Sequence, residues 1–200
     1  MTRDNGNANS QSNSLRLFYG VFIDESLRPS VADLQDRLRQ AGSRVKWVEP
    51  HNLHFTLRFI GDTPAHAVDS FAQAGRTAAA ECAAFDILVR GVGAFPSATR
   101  ARTIWLGACE GAEAFEALHA ALSAALHAGR LAEPEPKPFV AHCTLGRVRD
   151  RPTAELSAAI GSLSQVEIGP MRCEDLCLIE STLTRSGPVY RTIEAFTLSG

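Results

Sequence analysis

The chain has no basic excess. Its 200 residues carry 20 Lys and Arg against 22 Asp and Glu, a formal net charge of −2. Proteins that coat nucleic acid through bulk charge carry a clear positive balance, so any nucleic-acid contact must come from a local cleft. No apolar run is long enough to span a bilayer. The opening stretch MTRDNGNANSQSNS has no apolar core, so it does not read as a signal peptide. The cysteines, Cys82, Cys109, Cys143, Cys173 and Cys177, are odd in number and irregular in spacing, unlike a secreted disulfide framework. These absences lead to the expectation of a cytoplasmic protein, with no membrane contact and no stable protein partner implied.

What remains is an ordinary globular composition, 45% hydrophobic and 21% charged. A chain of this length can bury its own core without staples. Residues 1–14 are rich in Asn, Ser and Gly and are expected to form a disordered tail. Residues 15–200 then form a single domain. Short β-branched and aromatic runs predict strands at 15–23, 44–48, 53–61, 85–95, 101–109, 139–148 and 189–198, with a strand-rich stretch at 166–182. Apolar spacing of three and four predicts helices after Pro29, over 64–80, 113–127 and 153–163. Many strands lie close to short turns, which predicts an α+β fold with mainly antiparallel sheet.

One pattern occurs twice: His54-Phe-Thr-Leu57 and His142-Cys-Thr-Leu145. Each copy sits in a predicted strand after a Pro-containing segment. Side chains alternate along a strand, so His and Thr two apart share a face. By the same alternation Arg58 joins His54 and Thr56, while Leu53, Phe55, Leu57 and Phe59 take the core face. Two copies, one per half of the chain, suggest a duplication with a cleft between the halves.

Cleaving a phosphodiester requires one group to take a proton from water and another to give one to the leaving oxygen. An imidazole pair can hold both states near neutrality, the reference pKa being ~6.5. Threonine hydroxyls can bind the non-bridging oxygens, and a nearby arginine offsets their charge. The scheme needs no metal and no cofactor. A single H-x-T in a strand is commonplace and usually a packed histidine. Two copies on matched strands are a stronger signal.

The chain resembles the RNA 2′,3′-cyclic phosphodiesterases, historically the bacterial and archaeal 2′-5′ RNA ligases, of the two-histidine phosphoesterase superfamily. The resemblance rests on RLF (Arg16–Phe18), Trp47-Val48, NLHFTLRFIG (Asn52–Gly61), GVGAFP (Gly91–Pro96), TIWLG (Thr103–Gly107), HCTLGR (His142–Arg147) and LTRSGPVY (Leu183–Tyr190). Where the family usually has Pro before the second histidine, this chain has Ala141. The resemblance implies two pseudo-symmetric lobes, each a mainly antiparallel sheet with outer helices, around a central cleft. It implies hydrolysis of RNA-terminal 2′,3′-cyclic phosphate to 2′-phosphate without metal. His54 would be the proton donor, His142 the acceptor, and Thr56 and Thr144 phosphate ligands. Arg147 follows His142 at the family's spacing and is a further phosphate-binding candidate beside Arg58. The expected partners are RNA ends or cyclic nucleotides, including tRNA fragments.

Two alternatives use the same residues: a 2′-5′ RNA ligase or phosphodiesterase, and a non-catalytic RNA-binding module. Paired His and Thr favour catalysis, because simple phosphate binding is better served by Arg or Lys. Cys173 and Cys177 lack a second ligand pair and read as core residues rather than a zinc site. His51 reads as a rim residue. Arg147, Arg149 and Arg151 form either a solvated strand end or a guide for RNA. Tyr190, Phe18 and Phe95 are core aromatics or stacking platforms.

Overall fold

The computed structural model describes residues 14–185 and 187–200. The expected tail lies outside them, apart from Ser14, which opens the first strand.

Among the described residues nine strands form one antiparallel sheet: β1 (Ser14–Phe22), β2 (Val45–Trp47), β3 (His54–Pro64), β4 (Phe85–Phe95), β5 (Thr103–Ala108), β6 (His142–Val148), β7 (Glu167–Cys173), β8 (Asp175–Leu183) and β9 (Pro188–Thr197). Four α-helices accompany them: α1 (Arg28–Arg39), α2 (Val68–Ala80), α3 (Ala112–Ala128) and α4 (Ala154–Ser162). The strand order is β7-β4-β5-β6-β3-β1-β8-β9, with β2 also paired to β6. The sheet curls into a half-barrel.

The expected duplication is visible in that order. β6-β5-β4-β7 and β3-β1-β8-β9 are two four-stranded halves, each with its H-x-T strand innermost. They meet at one pair, Phe55 opposite Cys143. The halves do not divide the chain in the middle, however. The β8–β9 hairpin returns from the C-terminal region to complete the half begun by β1 and β3.

Packing follows the helical and strand periodicities. Phe115, Leu118, Leu122 and Leu126 of α3 are all buried. Phe115 meets Phe55 of β3 at 5.0 Å between ring centroids. α3 therefore covers the face of β3 opposite His54 and Thr56. α2 packs on α3 and on β8 and β9. Pro29 sits in the first turn of α1, where a missing N–H costs nothing. Thr153 caps α4, its hydroxyl accepting from Leu156 N at 3.1 Å.

Two stretches depart from their sequence pattern in the body of the element, one by losing its start and one by dividing in two. Residues 139–141 do not extend β6. Pro138 offers no N–H to a ladder, and the Val140 carbonyl accepts from a side chain instead. The stretch 166–182 is two strands that turn at Glu174. Cys173 and Cys177 consequently lie on different strands, both buried, and do not share one strand face. Among the described residues no helix is long and apolar enough to cross a membrane.

Candidate active site

The single pair joining the halves fixes the geometry of the repeat. With Phe55 opposite Cys143, the antiparallel register sets His54 across from Thr144 and Thr56 across from His142. The four side chains form a crossed quartet on one face. Phe55, Leu57, Cys143 and Leu145, alternating with them, are buried on the other. Burial pushes the Cys143 thiol up to about 12, so it is an inert core group rather than a nucleophile.

Both imidazoles are held in the same way. His54 Nδ1 lies 2.7 Å from the Asn52 carbonyl, and His142 Nδ1 lies 2.8 Å from the Val140 carbonyl. A carbonyl can only accept, so each Nδ1 carries a hydrogen and each Nε2 is left for the cleft. Asn52 is itself anchored: its buried side-chain amide donates to Pro188 O at 3.0 Å. Among the described residues neither the Thr56 nor the Thr144 hydroxyl has a protein hydrogen-bond partner, although Thr63, Thr77 and Thr153 all use theirs.

Aromatic rings back each imidazole. Phe18, Tyr190 and Phe22 lie 4.8, 5.2 and 6.2 Å from the His54 ring, and Phe95 lies 5.1 Å from that of His142. They pack against the catalytic candidates, while Phe95 stays partly exposed and Phe18 and Tyr190 also line the cleft. Only glycine fits at position 20. A Cβ there would stand 2.8 Å from Phe55 O and 3.4 Å from His54 Cδ2.

The site opens into a cleft of about 840 Å³, whose walls include His54, Thr56 and Thr144. His142 stands two residues along the strand from Thr144, near enough for its charge to act on His54. Basic side chains from several elements face the same space: Arg16, Arg39, Lys46, Arg147 and Arg149, against the single acid Glu49. This is the local basic wall that a net charge of −2 conceals. His51 lies on the rim as expected, and Arg151 is not part of the wall.

Arg58 is the correction. It does not join the cleft. In the β1–β3 ladder Tyr19 pairs with Arg58 and Gly20 with Thr56, so Leu57 is an extra residue. The bulge breaks the alternation. Leu57 and Arg58 are both buried, and Phe59, assigned to the core by alternation, turns out into the cleft at 48% exposure. β6 carries the matching irregularity: Ile104 pairs with Gly146 and Trp105 with Thr144, so Leu145 is extra. Arg147 thereby reaches the cleft from the same place in the repeat as Phe59.

Burial holds the His54 pKa below the ordinary imidazole value. The hydrogen bond to Asn52 opposes this, and the charges of His142 and Arg147 add to it. In the free protein His54 is thus biased toward its neutral form, and an anionic ligand in the cleft supplies the charge that favours its proton. Ring-nitrogen NMR is expected to find His54 titrating below ~6.5 in the free protein and higher with a bound nucleotide monophosphate. A free-protein value at or above that figure contradicts the burial argument. The same sign weakens folding below about pH 6.5, since the unfolded chain binds a proton that the buried ring resists.

Comparison with known proteins identifies the family and the fold. The model of the 2′-5′ RNA ligase superfamily matches residues 23–185. A protein named RNA 2′,3′-cyclic phosphodiesterase from Methanothermobacter thermautotrophicus is 37% identical over 92% of this chain and 99% of its own length. One of the same name from Aquifex aeolicus is 34% identical over 93% and 98%. A solved structure from Thermus thermophilus superposes with a TM-score of 0.77 at 30% identity, covering 93% of this chain and 99% of that one. E. coli LigT, solved with 3′-AMP, shares the fold at a TM-score of 0.73 and 21% identity, covering 94% and 99%. The chain belongs to the RNA 2′,3′-cyclic phosphodiesterases of the 2′-5′ RNA ligase superfamily.

Proposed function

We propose that the protein hydrolyses the 2′,3′-cyclic phosphate at an RNA end to a 2′-phosphate. The observation that carries this reading is the crossed His–Thr quartet beside one basic cleft, with each Nδ1 held by a backbone carbonyl and each Nε2 and hydroxyl without a hydrogen-bond partner among the described residues. Water attacks phosphorus and gives its proton to His142 Nε2. The P–O3′ bond breaks, and His54 Nε2 protonates the departing O3′. Thr56 and Thr144 donate to the non-bridging oxygens, and Arg147 offsets their negative charge. After one turnover the proton sits on the other imidazole, and solvent resets the pair. No step draws on a metal.

The substrate class follows from the names of the relatives and from the wall. A mononucleotide needs only the quartet. Arg16, Arg39, Lys46 and Arg149 lie beyond it and suit the phosphates of a longer strand. A defined RNA oligomer with a 2′,3′-cyclic end, incubated with EDTA-treated protein, is expected to yield the 2′-phosphate at an undiminished rate. A 3′-phosphate product, or turnover that returns only with added divalent metal, overturns the scheme. A product joined through a 2′-5′ bond would identify a 5′-hydroxyl as the attacking group in place of water.

A further inference from the structure

Arg58 is left unused by the cleft chemistry, yet its burial is costly. The residue is 7% exposed, and among the described residues neither Nε nor Nη1 has a hydrogen-bond partner, Nη1 being held by charge alone. A charge is kept in such a place only when its surroundings hold it. Nη2 donates to the Glu133 carbonyl, and Nη1 stands 3.3 Å from Glu135 Oε2. The same carboxylate lies 3.4 Å from His119 Nε2 on α3. The His119 ring is stacked on Phe139, with centroids 4.5 Å apart and planes 12° apart.

All these contacts fall on one segment. Residues 131–141 contain no helix or strand, so no ladder fixes them. They are gripped at Glu133, at Glu135 and, through His119, at Phe139. The next residue is Val140, whose carbonyl holds His142 Nδ1. The grip therefore ends one residue before the atom that sets the second imidazole's tautomer and direction.

We propose that Arg58 is a positioning residue for His142. The strand that carries the first histidine reaches across, through its bulge, to orient the second. The proposal rests on the reading of His142 as the catalytic base. The planar guanidinium suits this role because one group can hold a carbonyl and a carboxylate together, whereas a lysine ammonium offers no such fork.

The test uses Arg58→Met, Arg58→Lys and Glu135→Gln in the full chain, with nitrogen-15 in the histidine rings. In Arg58→Met, His142 is expected to lose its single Nδ1–H tautomer and show a mixture, while the His54 signals stay in place. The kcat on a 2′,3′-cyclic nucleotide falls by about tenfold, because ångström-scale misplacement of a catalytic group costs up to ~10²-fold. KM moves by less than about twofold, since the phosphate ligands are untouched. Arg58→Lys recovers part of the kcat loss, and Glu135→Gln shows the same pattern more weakly. A lower Tm with an unchanged His142 tautomer and unchanged kcat overturns the proposal and leaves Arg58 as a stabilising latch. Should Arg58→Met not fold, Glu135→Gln decides, because Glu135 is more than a third exposed. The tautomer is read without substrate. A shifted tautomer in a protein that turns over no cyclic phosphate would sink the functional reading and not the grip.

Discussion

His54→Ala is expected to lose about 10²–10⁴ in kcat on a 2′,3′-cyclic nucleotide, the usual contribution of a positioned proton donor, yet to recover most of it on a nitrophenyl phosphodiester. The cyclic substrate must expel a ribose alkoxide, which departs poorly without a proton. Nitrophenolate departs unaided. His142→Ala is expected to stay slow on both, because the attacking water still lacks its base. The inverse pattern would exchange the roles. Equal losses on both substrates in both variants would mean that the rings act by charge or position alone.

Leaving-group chemistry is needed because the geometry is symmetric. Each ring has the same bond from Nδ1 to the carbonyl two residues back, and each faces the other motif's threonine. A bell-shaped pH profile cannot decide, since one proton shared by two imidazoles gives the same curve for either assignment. An asymmetry that bears on protonation is burial, which depresses the His54 pKa. A donor role for His54 therefore depends on the phosphate that enters with the substrate. The expected upward move of its titration on nucleotide binding is the equilibrium counterpart of the leaving-group experiment.

The repeat was legible in the sequence because period-two alternation holds wherever a ladder is regular, and it is regular from His54 to Thr56 and from His142 to Thr144. It fails one residue later. Nothing in the letters LRF announces that Leu57 bulges, so alternation alone sends Arg58 to the cleft and Phe59 to the core, the reverse of their places. Arg147 sits five residues after its histidine, a position that strict alternation turns away from the cleft. The basic cluster Arg147, Arg149 and Arg151 and the family resemblance single it out; alternation does not. Arg16, Arg39 and Lys46 come from three separate elements, and sequence spacing carries no trace of their meeting in one wall. Asn52 did leave a signal, standing two residues before His54, but the bond that anchors its side chain depends on the β9 strand arriving more than a hundred residues later.

Replacing either threonine by valine is expected to cost about 10²–10³ in kcat, the usual loss when one preorganised donor to a transition-state oxygen is removed. The fold should survive. Valine keeps the β-branched shape that suits a strand, and neither hydroxyl bonds to a described residue, so no protein hydrogen bond is broken. Thr153→Val is the contrasting control, because that hydroxyl caps α4 and also donates to Ala41 O; stability should fall there and chemistry should not. The crossed register makes the two active-site losses unequal in kind. Thr56 faces His142 and Thr144 faces His54, so each hydroxyl holds the phosphate beside the other motif's imidazole. If both hydroxyls grip one phosphoryl group, the double variant should lose less than the product of the single losses, since the phosphate released from one donor no longer aligns with the other. Strictly multiplicative losses would place the hydroxyls on independent parts of the substrate. Full turnover in both single variants would return them to packing, and the cleft would then owe its phosphate affinity to the arginine wall alone.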